Sequence, residues 1–216
     1  MQTQIFNLGG VELEAIVGDH CTRPLLADCW YEQRLLNYVK SLELGGTYVD
    51  VGAFIGNHSS FFARNTKASR VVAIEGNPQI LPLLQRNATR NGFGVVHAVI
   101  EGASHNSYSF STTVATNLGM SKPSEGGDLA GTTLETQLRA IDNVTLIKID
   151  IEGSTPDVLR EPKMLAWFKT HKPELIIEAR TEEEEQAISA ILKPFGYVRI
   201  TKSLASSPTY HWSVQR

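Results

Sequence analysis

Val49-Asp50-Val51-Gly52-Ala53-Phe54-Ile55-Gly56-Asn57 is an apolar strand end that runs through two glycines into the start of a helix, and its reading decides the fold. Gly52 and Gly56 carry no side chain to hold a ligand away, so such a turn brings bare backbone close to it. The spacing Asp-x-Gly-x-x-x-Gly departs from the G-x-G-x-x-G of a dinucleotide fold. The carboxylate of Asp50, just ahead of the first glycine, suits a cationic or hydrogen-bonding ligand head and disfavours a pyrophosphate.

Downstream of this turn, short β-rich runs alternate with helical patterns, the signature of a doubly wound, mostly parallel sheet covered by helices on both faces. The strands are expected at 47–51, 70–75, 95–100, 145–150, 174–178 and 197–201, with an antiparallel one at 210–214. A helix is predicted over 57–64. Asn77-Pro78 reads as the N-cap and first residue of another, which Gly92 stops. Ser154-Thr155-Pro156 repeats that start signal, with Thr155 as the cap, and Thr181 with Glu184 forms a capping box. The glutamates at 182–185 are then a solvated first turn favoured by the helix dipole.

Upstream, 4–6 and 11–17 flank Gly9-Gly10 as a hairpin, and 28–40 places Trp30, Leu35, Leu36 and Val39 at helical spacing. Residues 1–46 therefore pack as a hairpin and helix on a core spanning 47–216. One stretch, 101–133, is rich in Gly, Ser, Thr and Asn, with a strand-like piece at 108–111. A loop of that length inside a compact domain is commonly functional. It is the expected lid or acceptor-recognition element.

The 216 residues suffice for one domain, and 42% apolar with 20% charged residues excludes a disordered chain. Lys plus Arg number 20 against 23 Asp plus Glu, a net charge of -3, which leaves no electrostatic footprint for nucleic acid. Cys21 and Cys29 are too few for a disulfide framework and lack a Cys/His cluster for zinc. With neither a signal-peptide pattern nor an apolar run long enough to span a membrane, the expected location is the cytoplasm.

Glu75 ends the second strand, where an acid in a doubly wound sheet accepts hydrogen bonds from ribose hydroxyls. Asp50 and Glu75 together outline a nucleoside pocket. Leu146-Ile147-Lys148-Ile149-Asp150-Ile151-Glu152-Gly153 carries two carboxylates past the same edge, on one face if the strand continues through 152.

These segments resemble the FkbM-like family of class I S-adenosylmethionine-dependent methyltransferases over about residues 31–200. The matching pieces begin with Tyr48 through His58 and Ile74-Glu75-Gly76-Asn77-Pro78. They continue with Asn117-Leu118-Gly119-Met120, Thr133-Leu134-Glu135, Ile147 through Gly153, and Pro173 through Glu178. The resemblance implies a seven-stranded Rossmann-like sheet, S-adenosylmethionine as cofactor with S-adenosylhomocysteine as product, and methyl transfer to oxygen. Carried over, Asp50, Gly52, Ala53, Gly56 and Asn57 would line the methionine side. Glu75 would hold the ribose with Asn77 nearby, Asp150 would face the methyl group, and Glu32 would reach the methionyl amine. The chain departs from the family at Phe54, where Asn is common, at Gly76, often Pro, at Glu135, often Asp, and at Thr155, usually Glu.

Methyl transfer from a sulfonium is an in-line displacement in which alignment supplies much of the acceleration. A hydroxyl acceptor needs its proton removed, and Asp150, Glu152, His58 and His105 are the bases by type. His58 sits at a helix start, where the dipole favours neutral imidazole. A divalent cation on Asp150, Glu152 and Glu178 is an alternative activator. His97 reads as a core or edge residue, and Trp167 and Phe168 as an apolar helix face. The partner expected is a small-molecule or carbohydrate acceptor. Two other readings are a methyltransferase-like binding module without turnover, motivated by Thr155, and a nucleotide-dependent oxidoreductase, which the missing third glycine opposes.

Overall fold

Thr3–Leu8 (β1) and Val11–Ile16 (β2) form the expected antiparallel hairpin, turned by Gly9 and Gly10 at positive φ. The computed structural model describes residues 1–102, 107–111, 118–205 and 207–215. His105 and Asn117 lie outside the described residues. The helix expected over 28–40 begins late: Asp28 and Glu32 both adopt positive φ, and Gln33–Ser41 (α1) is the helical part.

Thr47–Val51 (β3), Asn57–Asn65 (α2), Arg70–Glu75 (β4), Leu81–Asn91 (α3) and Gly94–His97 (β5) follow. Val99–Glu101 (β6), Ser107–Ser111 (β7), Lys122–Glu125 (β8), Leu129–Thr133 (β9) and Leu134–Leu138 (α4) come next. The chain ends with Val144–Ile149 (β10), Thr155–Arg160 (α5), Pro162–Thr170 (α6), Glu174–Glu178 (β11), Glu182–Leu192 (α7), Tyr197–Arg199 (β12) and Thr209–Val214 (β13).

The main sheet has seven strands in the order β12-β13-β11-β10-β3-β4-β5. All neighbours are parallel except β13, which runs antiparallel to both β11 and β12. This is the doubly wound class the alternation predicts. Side chains alternate across the sheet, and the core divides accordingly. Tyr48, Val71, Leu146 and Ile176 pack under α1, α2, α3 and the hairpin, whereas Val49, Val72, Ile147 and Ile177 pack under α4 to α7.

Several expected boundaries move for physical reasons. α3 starts at Leu81, not Pro78, because Pro82 is compatible only with a helix's first turn, where no i−4 hydrogen bond is needed. The Oδ1 of Asn77 instead accepts the Gln79 N–H at 3.0 Å, closing a turn before the helix. The expected strand 95–100 divides at Ala98: β5 stays in the main sheet, and β6 pairs with β9 in a second, four-stranded sheet ordered β6-β9-β7-β8. Within the polar segment 101–133, the described residues are therefore largely strand. β10 ends at Ile149, and Glu152 has a φ of 59°, so strand alternation does not relate Asp150 to Glu152. Ser154 occupies the N-cap of α5 without a side-chain bond, and Thr155 is its first helical residue. The Thr181 cap of α7 forms as predicted, with Glu184 accepting the Arg180 N–H at 2.8 Å.

The hairpin is fastened to the core by charge as well as by apolar packing. Glu14 on β2 accepts from Arg86 Nε and Arg90 Nη1 on α3, each at 2.9 Å. The Arg86 hydrogen bonds, with help from Thr3 and Arg90, hold the Glu14 carboxyl down at about 2 despite its burial. A depressed carboxyl pKa stabilises the fold fully above the unfolded value of about 4.5 and loses that contribution as pH falls toward about 2. Urea midpoints measured across that window are expected to fall with pH in the wild type and to fall less in Glu14→Gln. Parallel curves for the two proteins would show that the cluster contributes nothing.

Candidate functional site

At the carboxyl ends of β3, β4 and β10 the sheet opens into two adjoining lobes that share Gly52, Phe54, Gly119, Asp150 and Glu152. The first lobe continues along Ile74, Glu75, Gly76, Val99, Phe110 and Pro123. The second continues along Cys21, Tyr31, Asn57, His58, Lys148, Glu178 and Arg180. A further groove, lined by Glu135, Trp167 and His171, lies where β10 and β11 begin, at the opposite end of these strands.

The glycine turn builds the shared floor by close packing. The N–H groups of Gly52 and Ala53 are both spent on the Ile74 carbonyl, at 2.9 and 3.1 Å, so they are not offered to a ligand. Gly52 has a φ of 78°, and a Cβ there would stand 1.9 Å from the Asp150 carbonyl oxygen; only glycine fits. Gly56 lines neither lobe: its Cβ would meet Leu84 and Phe93 within 3 Å, so this glycine serves helix packing.

Glu75 stands at the rim of the first lobe with both oxygens anchored. Oε2 accepts the Phe54 N–H at 2.8 Å and Oε1 the Asn77 N–H at 2.7 Å. Burial pushes its carboxyl up, and those backbone donors offset only part of the rise. Asn77 contributes through that N–H, since its side chain closes the turn at Gln79 and does not line the lobe.

Beneath the second lobe runs a line of charges. The sequence places Asp50 against the ligand, but its carboxylate is 0% exposed and absent from both linings. It accepts from Ser59 Oγ at 2.6 Å and faces Lys148 Nζ at 3.3 Å. The register of β3 against β10 pairs Asp50 directly with Lys148, which is why the two meet. Lys148 is itself 2% exposed and reaches on to Asp150 at 3.4 Å. Burial opposes the charge on Asp150, yet the Lys148 ammonium outweighs it and holds that carboxyl down. Glu178, on the next strand, is pushed up to about 8 by burial and by the Asp150 charge. Arg180 closes the row, pairing with Glu152 and with Glu178, the latter at 3.3 Å.

Two expected residues meet in an unexpected way. Glu32 does not line either lobe. Its Oε2 contacts His58 Nε2 at 3.0 Å, holding a ring that does line the second lobe. Asn57, beside it, donates Nδ2–H to the Tyr31 carbonyl at 3.1 Å. Its Oδ1 is enclosed and has no hydrogen-bond partner among the described residues. Thr155, where the usual acid is missing, is buried at 1% exposure and lines neither lobe. Among the described residues no group of three or more His, Cys, Asp or Glu is arranged to hold a metal. Glu152 and Glu178 meet Arg180 instead.

Lys148, Tyr31 and Arg180 were given no role by sequence reasoning. Lys148 left one signal, a lone cation inside the apolar run Leu146 to Ile149. Tyr31 and Arg180 left none that spacing alone would reveal.

The model of the Methyltransferase FkbM domain matches residues 50–199. The chain belongs to the FkbM methyltransferase family. Solved structures share its Rossmann-like fold. The FkbM methyltransferase from Methylobacillus flagellatus KT superposes with a TM-score of 0.55 at 20% identity, covering 86% of this chain and 48% of that one. The TYW2 of M. jannaschii, solved with AdoMet, gives 0.52 at 15% identity over 97% and 83%. The precorrin-6y C5,15-methyltransferase from Geobacter metallireducens GS-15 gives 0.51 at 16% over 86% and 88%. No curated protein sequence matches the chain. No described helix is long and apolar enough to cross a membrane.

Membership in the FkbM family implies S-adenosylmethionine as cofactor, and the residues present fit it. Gly52 presents bare backbone to both lobes while packing against the Asp150 carbonyl. Asn57 Oδ1 is a buried acceptor with no hydrogen-bond partner among the described residues, suited to an ammonium, and an unmatched buried acceptor is costly unless a ligand completes it. Glu75 offers an anchored carboxylate to paired hydroxyls.

Proposed function

We propose that this FkbM methyltransferase methylates a hydroxyl of a sugar or other small molecule. The observation that carries the reading is the second lobe, whose wall combines a carboxylate-held imidazole, His58 on Glu32, with the carboxyl pair Asp150 and Glu178. An alcohol needs such proton acceptors, because it is a poor nucleophile until deprotonated.

In this reading the first lobe takes the nucleoside, and the second takes the methionyl end together with the reacting hydroxyl of the acceptor. Glu75 holds the ribose hydroxyls, Asn57 Oδ1 receives the methionyl ammonium, and Phe110 covers the base. Bound there, S-adenosylmethionine would supply an electrophilic methyl on a sulfonium. Glu32 keeps the imidazole proton on Nε2, as a carboxylate partner does in other His-carboxylate pairs. Nδ1, which makes no hydrogen bond among the described residues, then accepts the hydroxyl proton. Lys148 keeps Asp150 ionised as a fixed negative charge at the junction of the lobes, and Asp50 acts by positioning Lys148.

Sequence reasoning places 101–133 as an acceptor lid, whose trimming should leave cofactor affinity largely intact. The lining of the first lobe by Phe110, Gly119, Ser121 and Pro123 supports a different expectation. Stacking of a base on an aromatic ring contributes about 1–3 kcal/mol, so Phe110→Ala should weaken cofactor binding about tenfold in calorimetry. Unchanged affinity would place the base elsewhere.

The test of the function is label transfer from methyl-labelled cofactor into a panel of glycans, small alcohols, peptides and nucleic acids. Label in a methyl ether supports the proposal. Label confined to peptide or nucleic-acid nitrogen or carbon overturns it.

A further inference from the structure

The second lobe does not end at Tyr31. His20 and Tyr31, packed edge to face at a centroid distance of 5.9 Å, also form one wall of an open groove that leads outward from it. That groove has an apolar floor, Leu204 and Ala205, and carries Arg23 and Arg34. Both arginines are exposed, and neither makes an ion pair or a side-chain hydrogen bond among the described residues. Glu32 lines the groove too, but its carboxylate is engaged by His58.

The two compartments thus differ in chemistry. The inner wall carries Asp150, Glu152 and Glu178, and its two cations, Lys148 and Arg180, are already paired with them. The outer groove presents two guanidinium groups, each a planar fork suited to an oxyanion. We infer that the methyl acceptor bears an anionic group, a phosphate or a carboxylate, held by Arg23 and Arg34 while its hydroxyl enters the inner lobe past His20 and Tyr31. This inference rests on the hydroxyl reading above and narrows it to an anionic small molecule. The difference would also orient the acceptor, because the guanidinium groups of the outer groove are unpaired among the described residues whereas Lys148 and Arg180 inside are engaged by carboxylates.

Two measurements on the full chain test it. In the first, inorganic phosphate and acetate are titrated at constant ionic strength while the arginine Nε–H resonances are followed. Saturable shifts of the Arg23 and Arg34 signals by one or both anions, abolished in R23Q/R34Q, are expected; which anion saturates more tightly distinguishes phosphate from carboxylate. Shifts no larger than those caused by chloride would overturn the inference. In the second, methyl transfer is compared across acceptors supplied as matched neutral, carboxylated and phosphorylated forms. A charged form is expected to exceed its neutral counterpart in kcat/KM by about tenfold or more, and R23Q/R34Q to remove that advantage. Equal use of neutral and charged forms would overturn the inference while leaving the hydroxyl reading intact. Anion saturation at the groove with no label in any hydroxyl would overturn the hydroxyl reading, and this inference with it, leaving only an anion site at Arg23 and Arg34.

Discussion

Lys148→Met is expected to lower the unfolding free energy by about 3–5 kcal/mol, the usual cost of stripping one partner from a buried ion pair. Asp50 would keep only the Ser59 hydroxyl in a site with no exposure to water. The ammonium is held firmly in the native protein: burial works against it, but Asp50 and Asp150 more than compensate and raise its pKa. Asp50→Asn in the Lys148→Met background should recover much of the loss, since the orphaned charge is then gone. Urea denaturation of the two single variants and the double variant closes the cycle. A Lys148→Met protein within about 1 kcal/mol of wild type would mean that the pair is not the fold's internal fastening.

His58→Ala should reduce kcat by about 10² to 10⁴-fold, the range for losing a general base. The thermal shift produced by S-adenosylmethionine should survive, because Asn57 and Glu75 remain. Glu32→Gln should lose less, as it leaves the ring in place but weakens the hold on its tautomer. A kcat for His58→Ala within about threefold of wild type would move the base to Asp150 with Glu178.

Much of this architecture could be read directly from residue order. The alternation of β-rich and helical runs follows from side-chain periods that do not depend on tertiary contacts, so β3, β4, β10 and β11 fall close to where they are expected. Errors gathered where two local signals competed. Asn77-Pro78 is a good helix start by itself, and Pro82 is what delays it. Residues 95–100 read as one strand because five of the six are apolar, and nothing local shows that Ala98 passes the chain to another sheet. In the site, Gly52, Ala53, Asn57, His58, Glu75, Asp150 and Glu152 were expected at the ligand, and they do line the lobes. Asp50, Gly56, Glu32 and Asn77 were expected there too, but none of them lines either lobe. Strand and turn geometry puts residues at the right edge of a sheet, whereas which side chain faces the opening depends on cross-strand pairs such as Asp50 with Lys148.

The close approach at Gly76 carries a consequence for descent. A Cβ there would lie 2.9 Å from the Phe110 ring and 3.2 Å from the Ala98 carbonyl oxygen, so any side chain at this position would press on the aromatic roof over the first lobe. Lineages with proline in place of Gly76 are expected to carry a smaller residue, or a differently routed segment, in place of Phe110. The two sites should covary, recording in paired substitutions when this branch acquired its aromatic cover.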